Sequence, residues 1–298
     1  MRYTPILRLA EPLPAIKMKP YYLLLAIICF NALGQAQNEV LFKSVFHPNT
    51  EYITTMITTS KSEVKFDGSK EMLENLKANG VQNPILVESS NSVVSSIKTQ
   101  ELLSDDTFDA VMTYQKVHTI QTQNGQSTQQ KSPLEGMRIE GKYDSNNKFK
   151  VDTIIGENIN EALRTTLTST LENVQEQIKF PDYPLKQGDT FNQTLPMTIP
   201  VAGVQNVQVV IKTDYLLKEI ENDLATFDIT QTVELEMDIE NSTITATGNG
   251  TGISQYSISK EFITKYESNL TMELTVIVNQ LKISSQVISK SDMTVEIK

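Results

Sequence analysis

Residues 157–191 read ENINEALRTTLTSTLENVQEQIKFPDYPLKQGDTF, the one long stretch of the chain with a helical pattern. Its apolar residues follow one another at steps of three or four, which places them along one side of an α-helix. They are Ile159, Leu163, Leu167, Leu171, Val174 and Ile178. Pro181 and Pro184 end the pattern because proline supplies no amide hydrogen to a further turn. The stretch predicts one long amphipathic helix, with its connection, over residues 157–184.

The apolar stripe of this helix has two interpretations. In the first, the helix packs on a β-sheet as part of an ordinary core, which is the usual role of an amphipathic helix. In the second, the helix covers an apolar cavity and contacts a ligand there, together with methionines of the neighbouring strands, whose side chains adapt to irregular shapes. The ligand-binding residues predicted by the second interpretation are Ile159, Leu163, Leu167, Leu171, Val174, Met112 and Met237.

Strand-like alternation dominates the chain on both sides of this helix. Phe108, Ala110, Met112 and Tyr114 alternate with mostly polar residues. Every second residue from Phe227 to Ile239 is apolar except Gln231. This alternation is typical of half-buried antiparallel strands.

Two shorter features interrupt the strands. Ser69 is a suitable N-cap for a short helix that contains Met72, Leu73 and Leu76 and ends at Asn79-Gly80. Residues 248–252 read Gly-Asn-Gly-Thr-Gly, which predicts a turn because glycine adopts turn conformations at little cost.

A sequence plan recurs in the two halves of the chain. Ile97-Lys-Thr followed by Thr107-Phe-Asp matches Ile211-Lys-Thr followed by Thr226-Phe-Asp, although the spacing differs. The recurrence predicts an internal duplication. We therefore expect an α+β, mainly antiparallel β fold with two similar curved-sheet halves, residues 37–156 and 185–298. The long amphipathic helix connects them.

The N-terminal residues have the pattern of a secretory signal peptide. Lys17 and Lys19 precede an apolar run over residues 21–30, and small residues follow at Gly34 and Ala36. This order predicts export and cleavage after Ala36. A run this short does not span a membrane, which takes about 20 apolar residues. No transmembrane helix is therefore expected once residues 1–36 are removed.

Two further details concern this segment. Met18 lies directly before the basic residues, so we expect translation to start there and residues 1–17 to be an upstream extension. The single cysteine, Cys29, follows Ile28, whereas lipoprotein signals place a small residue before the cysteine. Plain secretion to the periplasm or the exterior is the first interpretation, and outer-membrane association through a lipidated Cys29 is the alternative.

Composition excludes several classes of function. The chain has a net charge of −10, and residues 1–36 carry four basic residues and one acidic residue, so the remainder has a net charge of −13. An acidic protein of this kind repels the phosphate backbone of nucleic acids, so we expect no nucleic-acid partner. Beyond Cys29 the chain lacks cysteine, so neither a disulfide nor a thiolate nucleophile is expected.

The motifs of catalytic and metal sites are also missing from the sequence. The only histidines, His47 and His118, lack the spacing of a zinc site. Acidic residues at 105–106 and 219–223 supply few of the roughly six to eight oxygen ligands that calcium takes. Ser-x-x-Lys spacing occurs without its companion motifs at Ser62, Ser95 and Ser257. We therefore expect a protein that is not an enzyme and has neither a cofactor nor a metal.

Two short elements carry a family resemblance. They are the hairpin G-x-Y-D-x-N-N-K-F at residues 141–149 and P-x-x-P-L-K-Q-G-D-T-F at residues 181–191. Their order resembles uncharacterised secreted families of bacterial envelopes. In those families the position that corresponds to Phe191 is more often Trp. Those families have no established activity, so the resemblance implies an architecture and no catalytic residues. A more distant, fold-level likeness to Lol-type lipoprotein carriers and lipid-binding lipoproteins implies a curved antiparallel sheet with a covering helix.

Two functional hypotheses follow from the sequence. The first is an envelope protein that holds an apolar or lipid-like ligand between curved sheets and the central helix. The second is a structural or protein-interaction module of the envelope without a small-molecule ligand. The first hypothesis requires that the apolar faces enclose an empty volume, whereas the second allows their side chains to pack closely against each other.

Overall fold

The computed structural model describes residues 39–298 except residues 158, 174–177, 200–206, 240–241 and 279. The predicted signal peptide, with Cys29 and the start at Met18, lies outside the described residues. The helices of the described part are α1 (Lys70–Ala78) and α2 (Glu161–Asn173). Its strands are β1 (Glu51–Asp67), β2 (Ile85–Thr99), β3 (Phe108–Gln123), β4 (Gln126–Lys131), β5 (Arg138–Tyr143), β6 (Phe149–Ile155), β7 (Thr190–Ile199), β8 (Val207–Glu221), β9 (Leu224–Ile239), β10 (Ser242–Ser257), β11 (Phe262–Val278) and β12 (Leu281–Ile297).

These strands form one antiparallel sheet. Their order is β6-β5-β3-β2-β1-β12-β11-β10-β9-β8-β7, and β4 pairs with β3 beside this path. The first and last strands are neighbours in the middle of the sheet, in a register that runs from Tyr52↔Ile297 to Asp67↔Lys282. The segments before and after α2 therefore supply the two sides of a single sheet, whose outer strands are β6 and β7.

The prediction of two similar curved-sheet halves is wrong. The long β1–β12 ladder joins the two sides because each of these strands satisfies the backbone groups of the other. The recurring motifs also take different registers. Ile97 pairs with Met112, four residues after Phe108, whereas Ile211 pairs with Val233, six residues after Phe227. The shared residues do not hold equivalent places in the sheet.

The sheet is strongly curved. Five strand-to-strand steps separate β5 from β11, which corresponds to roughly 24 Å in a flat sheet. Yet the ring of Phe46 lies 4.9 Å from the ring of Tyr143 in β5 and 5.0 Å from the ring of Phe262 in β11, centroid to centroid. The two strands therefore approach each other across the concave face.

Glycines in β10 allow the backbone of β11 to approach closely. Gly248, Gly250 and Gly252 lie inside the strand and not in the turn that their sequence predicts. A Cβ atom at Gly250 would lie 2.9 Å from the carbonyl oxygen of Asn269, and one at Gly252 would overlap the carbonyl oxygen of Glu267. In a strand interior, glycine marks a close approach of neighbouring backbone. The absence of side chains lets β11 lie against β10 there.

Replacing Gly252 by Ala is expected to lower the free energy of unfolding by about 1–3 kcal/mol, because the added methyl group forces the backbone of β11 to shift. Thr251→Ala is the matched control, since Thr251 is exposed on the opposite face of the same strand. It should change stability by no more than about 0.5 kcal/mol. Urea unfolding of both variants measures the difference. Equal stabilities would contradict a close approach at Gly252.

The helices are short. The predicted cap is confirmed for α1, where the side chain of Ser69 accepts a hydrogen bond of 3.3 Å from the amide of Met72. The long helix is a wrong prediction: α2 has 13 residues, and residues 178–180 are not helical. Ile178 is buried in a cluster with Phe42, whereas Leu171 packs in a different cluster. Tertiary packing therefore outweighs the helical period of the sequence.

Candidate functional site

Residues 40–50, which lie outside the strands apart from a single bridge at Val40, cross the concave face of the sheet, and we call this segment the strap. At its start, Val40 and Leu185 exchange two backbone hydrogen bonds of 2.9 Å. Further along, Phe46 is bound through its backbone to the side chain of Asn147 in the β5–β6 turn. The amide of Phe46 donates to Asn147 Oδ1 at 2.9 Å, and Asn147 Nδ2 donates to the carbonyl of Phe46 at 2.8 Å.

Two tyrosine hydroxyls fix the strap from the strands below it. The hydroxyl of Tyr256 donates to the carbonyl of Lys43 at 2.7 Å, and the hydroxyl of Tyr52 accepts from the amide of His47 at 2.7 Å. Burial raises the pKa of Tyr256 to about 12, so this phenol keeps its proton at neutral pH. The strap is therefore held by specific polar contacts as well as by its aromatic side chains.

Replacing Asn147 by Ala is expected to destabilise the protein by about 1–3 kcal/mol, because the backbone groups of Phe46 lose both of their partners. The neighbouring Asn146 is exposed, so Asn146→Ala is the control. Hydrogen exchange of the strap amides should accelerate in Asn147→Ala and stay unchanged in Asn146→Ala. Unchanged exchange in both variants would show that Asn147 does not hold the strap.

Beneath the strap lies a cavity of about 260 Å³. Its aromatic walls are Phe46, Tyr52, Tyr143, Phe149 and Phe262. Its aliphatic walls are Ile97, Met112, Leu171, Ile263, Met293 and Val295. These side chains come from the strap, seven strands and α2, which the curvature of the sheet brings together.

The polar groups at the cavity are hydroxyls. They belong to Ser44, Thr54, Ser95 and the two tyrosines. Thr54 and Ser95 lie directly opposite each other in the β1–β2 ladder. Burial raises the pKa of Tyr143 well above its usual value, and the nearby Tyr52 contributes to the shift. None of the described lining residues is Asp, Glu, Lys, Arg or His.

The predicted site residues fall into three groups. Met112 and Leu171 lie at the cavity wall. Ile159, Leu163 and Leu167 pack, half-buried, against the neighbouring cluster around Phe108 and Ile139. Val174 lies outside the described residues. Met237 lies in β9 opposite Ile244, three strands from β12, and its side chain is outside the described part. The structure thus places two of the seven at one cavity.

Sequence reasoning did not identify the residues that form most of this cavity. Phe46, Tyr52, Phe262 and Val295 come from four separate segments of the chain. Each lies near the start or end of a strand or in the strap, and no spacing in the sequence connects them. The one available signal is the concentration of aromatic residues near strand ends, at Tyr52, Phe108, Tyr143, Phe149, Phe191, Phe227, Tyr256 and Phe262.

The structure also shows where two of the three Ser-x-x-Lys pairs lie. Ser95 and Lys98 lie in the same strand, so three residues place the hydroxyl and the amine on opposite faces of the sheet. Ser257 instead donates to the carboxylate of Asp223 at 2.6 Å, in contact with the β10–β11 turn. That carboxylate also accepts from the amide of Ser259 at 2.6 Å, and these hydrogen bonds lower the pKa of Asp223. Asp223 therefore has a local role in turn structure.

No group of three or more His, Cys, Asp or Glu side chains is placed to hold a metal ion within the described part of the chain. Among the helices of that part, none has both the length and the apolar character needed to cross a membrane.

Comparisons with known proteins give a distant structural likeness and no match by sequence. No protein-family model matches the chain, and no curated protein matches it by sequence. The resemblance to secreted envelope families therefore has no support from a family model. Among solved structures, one described as lipid–protein interactions in lipovitellin is similar over 85% of this chain, with 10% sequence identity and a TM-score of 0.41. This chain spans about a quarter of that protein, 26% of its length.

Proposed function

We propose that the protein binds a small apolar ligand in the cavity beneath the strap. The observation that carries the proposal is the lining: eleven of the fourteen described residues at the cavity have aromatic or aliphatic side chains. Ligand pockets are typically concave and mostly apolar, with a few polar groups that fix orientation. The cavity of this protein has both features.

The size of the cavity limits the ligand. At about 260 Å³ it is larger than an engineered cavity of roughly 150 Å³ that binds benzene. It is slightly smaller than the range of about 300–1,000 Å³ typical of drug-sized ligands. A single hydrocarbon chain or a small ring system is the size of ligand that we expect.

The strap supplies a route for the ligand. Its contacts with Asn147, Tyr52 and Tyr256 are hydrogen bonds to backbone groups of the strap, and water can replace such partners when a segment opens. We infer that the ligand enters when the strap moves away from the cavity.

We further propose that the protein is exported and holds its ligand without converting it. The support for export is the signal pattern of residues 1–36. The support for a non-enzymatic role is the chemistry of the described lining, whose polar groups are hydroxyls without an adjacent general base. A purely structural role in the envelope is the alternative outcome of the test below.

The test is a titration with Nile red, an uncharged dye whose emission shifts to the blue in apolar surroundings. The proposal predicts saturable binding at one site per protein and displacement of the dye by small apolar molecules. Binding that does not saturate, or that persists unchanged after urea unfolding, would contradict a specific cavity and favour the structural role.

A further inference from the structure

The hydroxyl groups at the cavity carry a second inference, which rests on the proposed binding function. Thr54 and Ser95 are directly opposed on β1 and β2, with Cβ atoms about 4.5–5.5 Å apart in such a pair. Tyr143 adds a phenol from β5. Ser95 and Tyr143 have relative exposures of 9% and 4%. The hydroxyl oxygens themselves open onto the cavity, since none of the three is a buried side-chain atom without a partner in the described part of the chain.

These three hydroxyls have no hydrogen-bond partner among the described residues. None of them makes a side-chain hydrogen bond within the described part of the chain. Water in the cavity can partner such a hydroxyl, and a ligand with a polar group keeps this hydrogen bond when it displaces the water, whereas a purely apolar ligand loses it.

The charges of the cavity lining indicate which chemical class of ligand can form hydrogen bonds with these hydroxyls. No described lining residue is a cation that could pair with a carboxylate or a phosphate. Burying an anion without a partner costs far more than a neutral hydrogen bond returns. The net charge of −10 also repels anions from the protein as a whole.

We propose that the natural ligand is an uncharged amphiphile, with an alcohol, ester or amide group hydrogen-bonded to Thr54 and Ser95 and a hydrocarbon part against the aromatic walls. Because a hydroxyl both donates and accepts hydrogen bonds, this site can bind a neutral head group that is a donor or an acceptor. Free fatty acids and phospholipids, which are anionic or zwitterionic, are disfavoured.

The experiment is a displacement of Nile red from the full-length protein at pH 7.5 by three ligands with the same chain length: 1-decanol, methyl decanoate and decanoate. Decanol and the ester should displace the dye at concentrations at least about tenfold lower than decanoate does, since a tenfold difference needs only a modest penalty for the charge. Equal or tighter binding of decanoate would overturn the inference while leaving the binding function intact. Failure of the dye itself to bind would contradict the binding function.

A double variant, Thr54→Val with Ser95→Ala, tests the hydroxyls themselves. It removes two hydrogen-bonding groups and keeps the shape of the wall nearly unchanged. Decanol affinity should fall by about tenfold, and the affinity for decane, which has no polar group, should stay the same. An equal loss for decanol and decane would show that the hydroxyls serve only the structure and would overturn their assigned role.

Discussion

Replacing Phe227 by Ala is expected to lower the free energy of unfolding by about 3–5 kcal/mol, the usual cost of removing a buried aromatic side chain. Phe227 has a relative exposure of 1%. Its ring centroid lies 5.1 Å from that of Phe42, 5.8 Å from Phe180 and 5.9 Å from Phe191. These rings join the strap and the start of β7 to β9, so their loss leaves a cavity that the structure cannot easily close.

The control for this prediction is Ile57→Ala. Ile57 also lies in a central part of the sheet, but 45% of it is exposed, and we expect a change of no more than about 1 kcal/mol. Chemical unfolding of both variants, with fluorescence and circular dichroism as independent probes, measures the two values. If Phe227→Ala were as stable as Ile57→Ala, the aromatic cluster would not be the main core of the fold.

The second large effect is expected from Thr54→Trp. Thr54 lies at the cavity wall on the concave face of β1, and an indole at this position occupies space that the ligand needs. Tryptophan is well tolerated in strands, so the variant should remain folded. We expect its affinity for Nile red to fall at least about tenfold, corresponding to 1.4 kcal/mol.

Thr55→Trp is the matched control for the cavity. It introduces the same side chain at the next residue, which faces the opposite side of the sheet because strand residues alternate. Its affinity for Nile red should equal that of the unmodified protein. Should Thr54→Trp lose its cooperative thermal transition, Met112→Phe offers a milder way to reduce the same volume. Full dye binding in a folded Thr54→Trp variant would place the binding site elsewhere.

Local sequence patterns predicted the strands β3 and β9. The alternation at Phe108, Ala110 and Met112 corresponds to β3, and the alternation from Phe227 to Ile239 corresponds to β9. Both follow from a strand period of two, which depends only on neighbouring residues. The Ser69 cap of α1 is equally local, because its hydrogen bond spans three residues.

Predictions failed where distant parts of the chain decide the structure. Gly248, Gly250 and Gly252 suggest a turn, but the approach of β11 makes them necessary inside β10. Val174 and Ile178 continue a helical stripe, but Ile178 belongs to the cluster around Phe42. The helical period of the sequence does not indicate which of the two core clusters a side chain packs into.

The candidate site could be predicted only in part for the same reason. Met112 and Leu171 were recognisable as apolar residues on one face of a strand and of a helix, and both lie at the cavity. Phe46 and Val295 reach the cavity because the strap crosses the sheet and because β12 pairs with β1. Both causes are long-range contacts, which leave no regular spacing in the sequence.

Native mass spectrometry tests the presence of a ligand in the cavity most directly. The unmodified protein, Thr55→Trp and Thr54→Trp would be purified gently from the cells that produce the protein naturally. We predict a discrete adduct, uncharged and soluble in organic solvent, on the unmodified protein and on Thr55→Trp, and its loss from Thr54→Trp. Bare masses for all three proteins, or the same adduct on all three, would contradict a ligand bound beneath the strap.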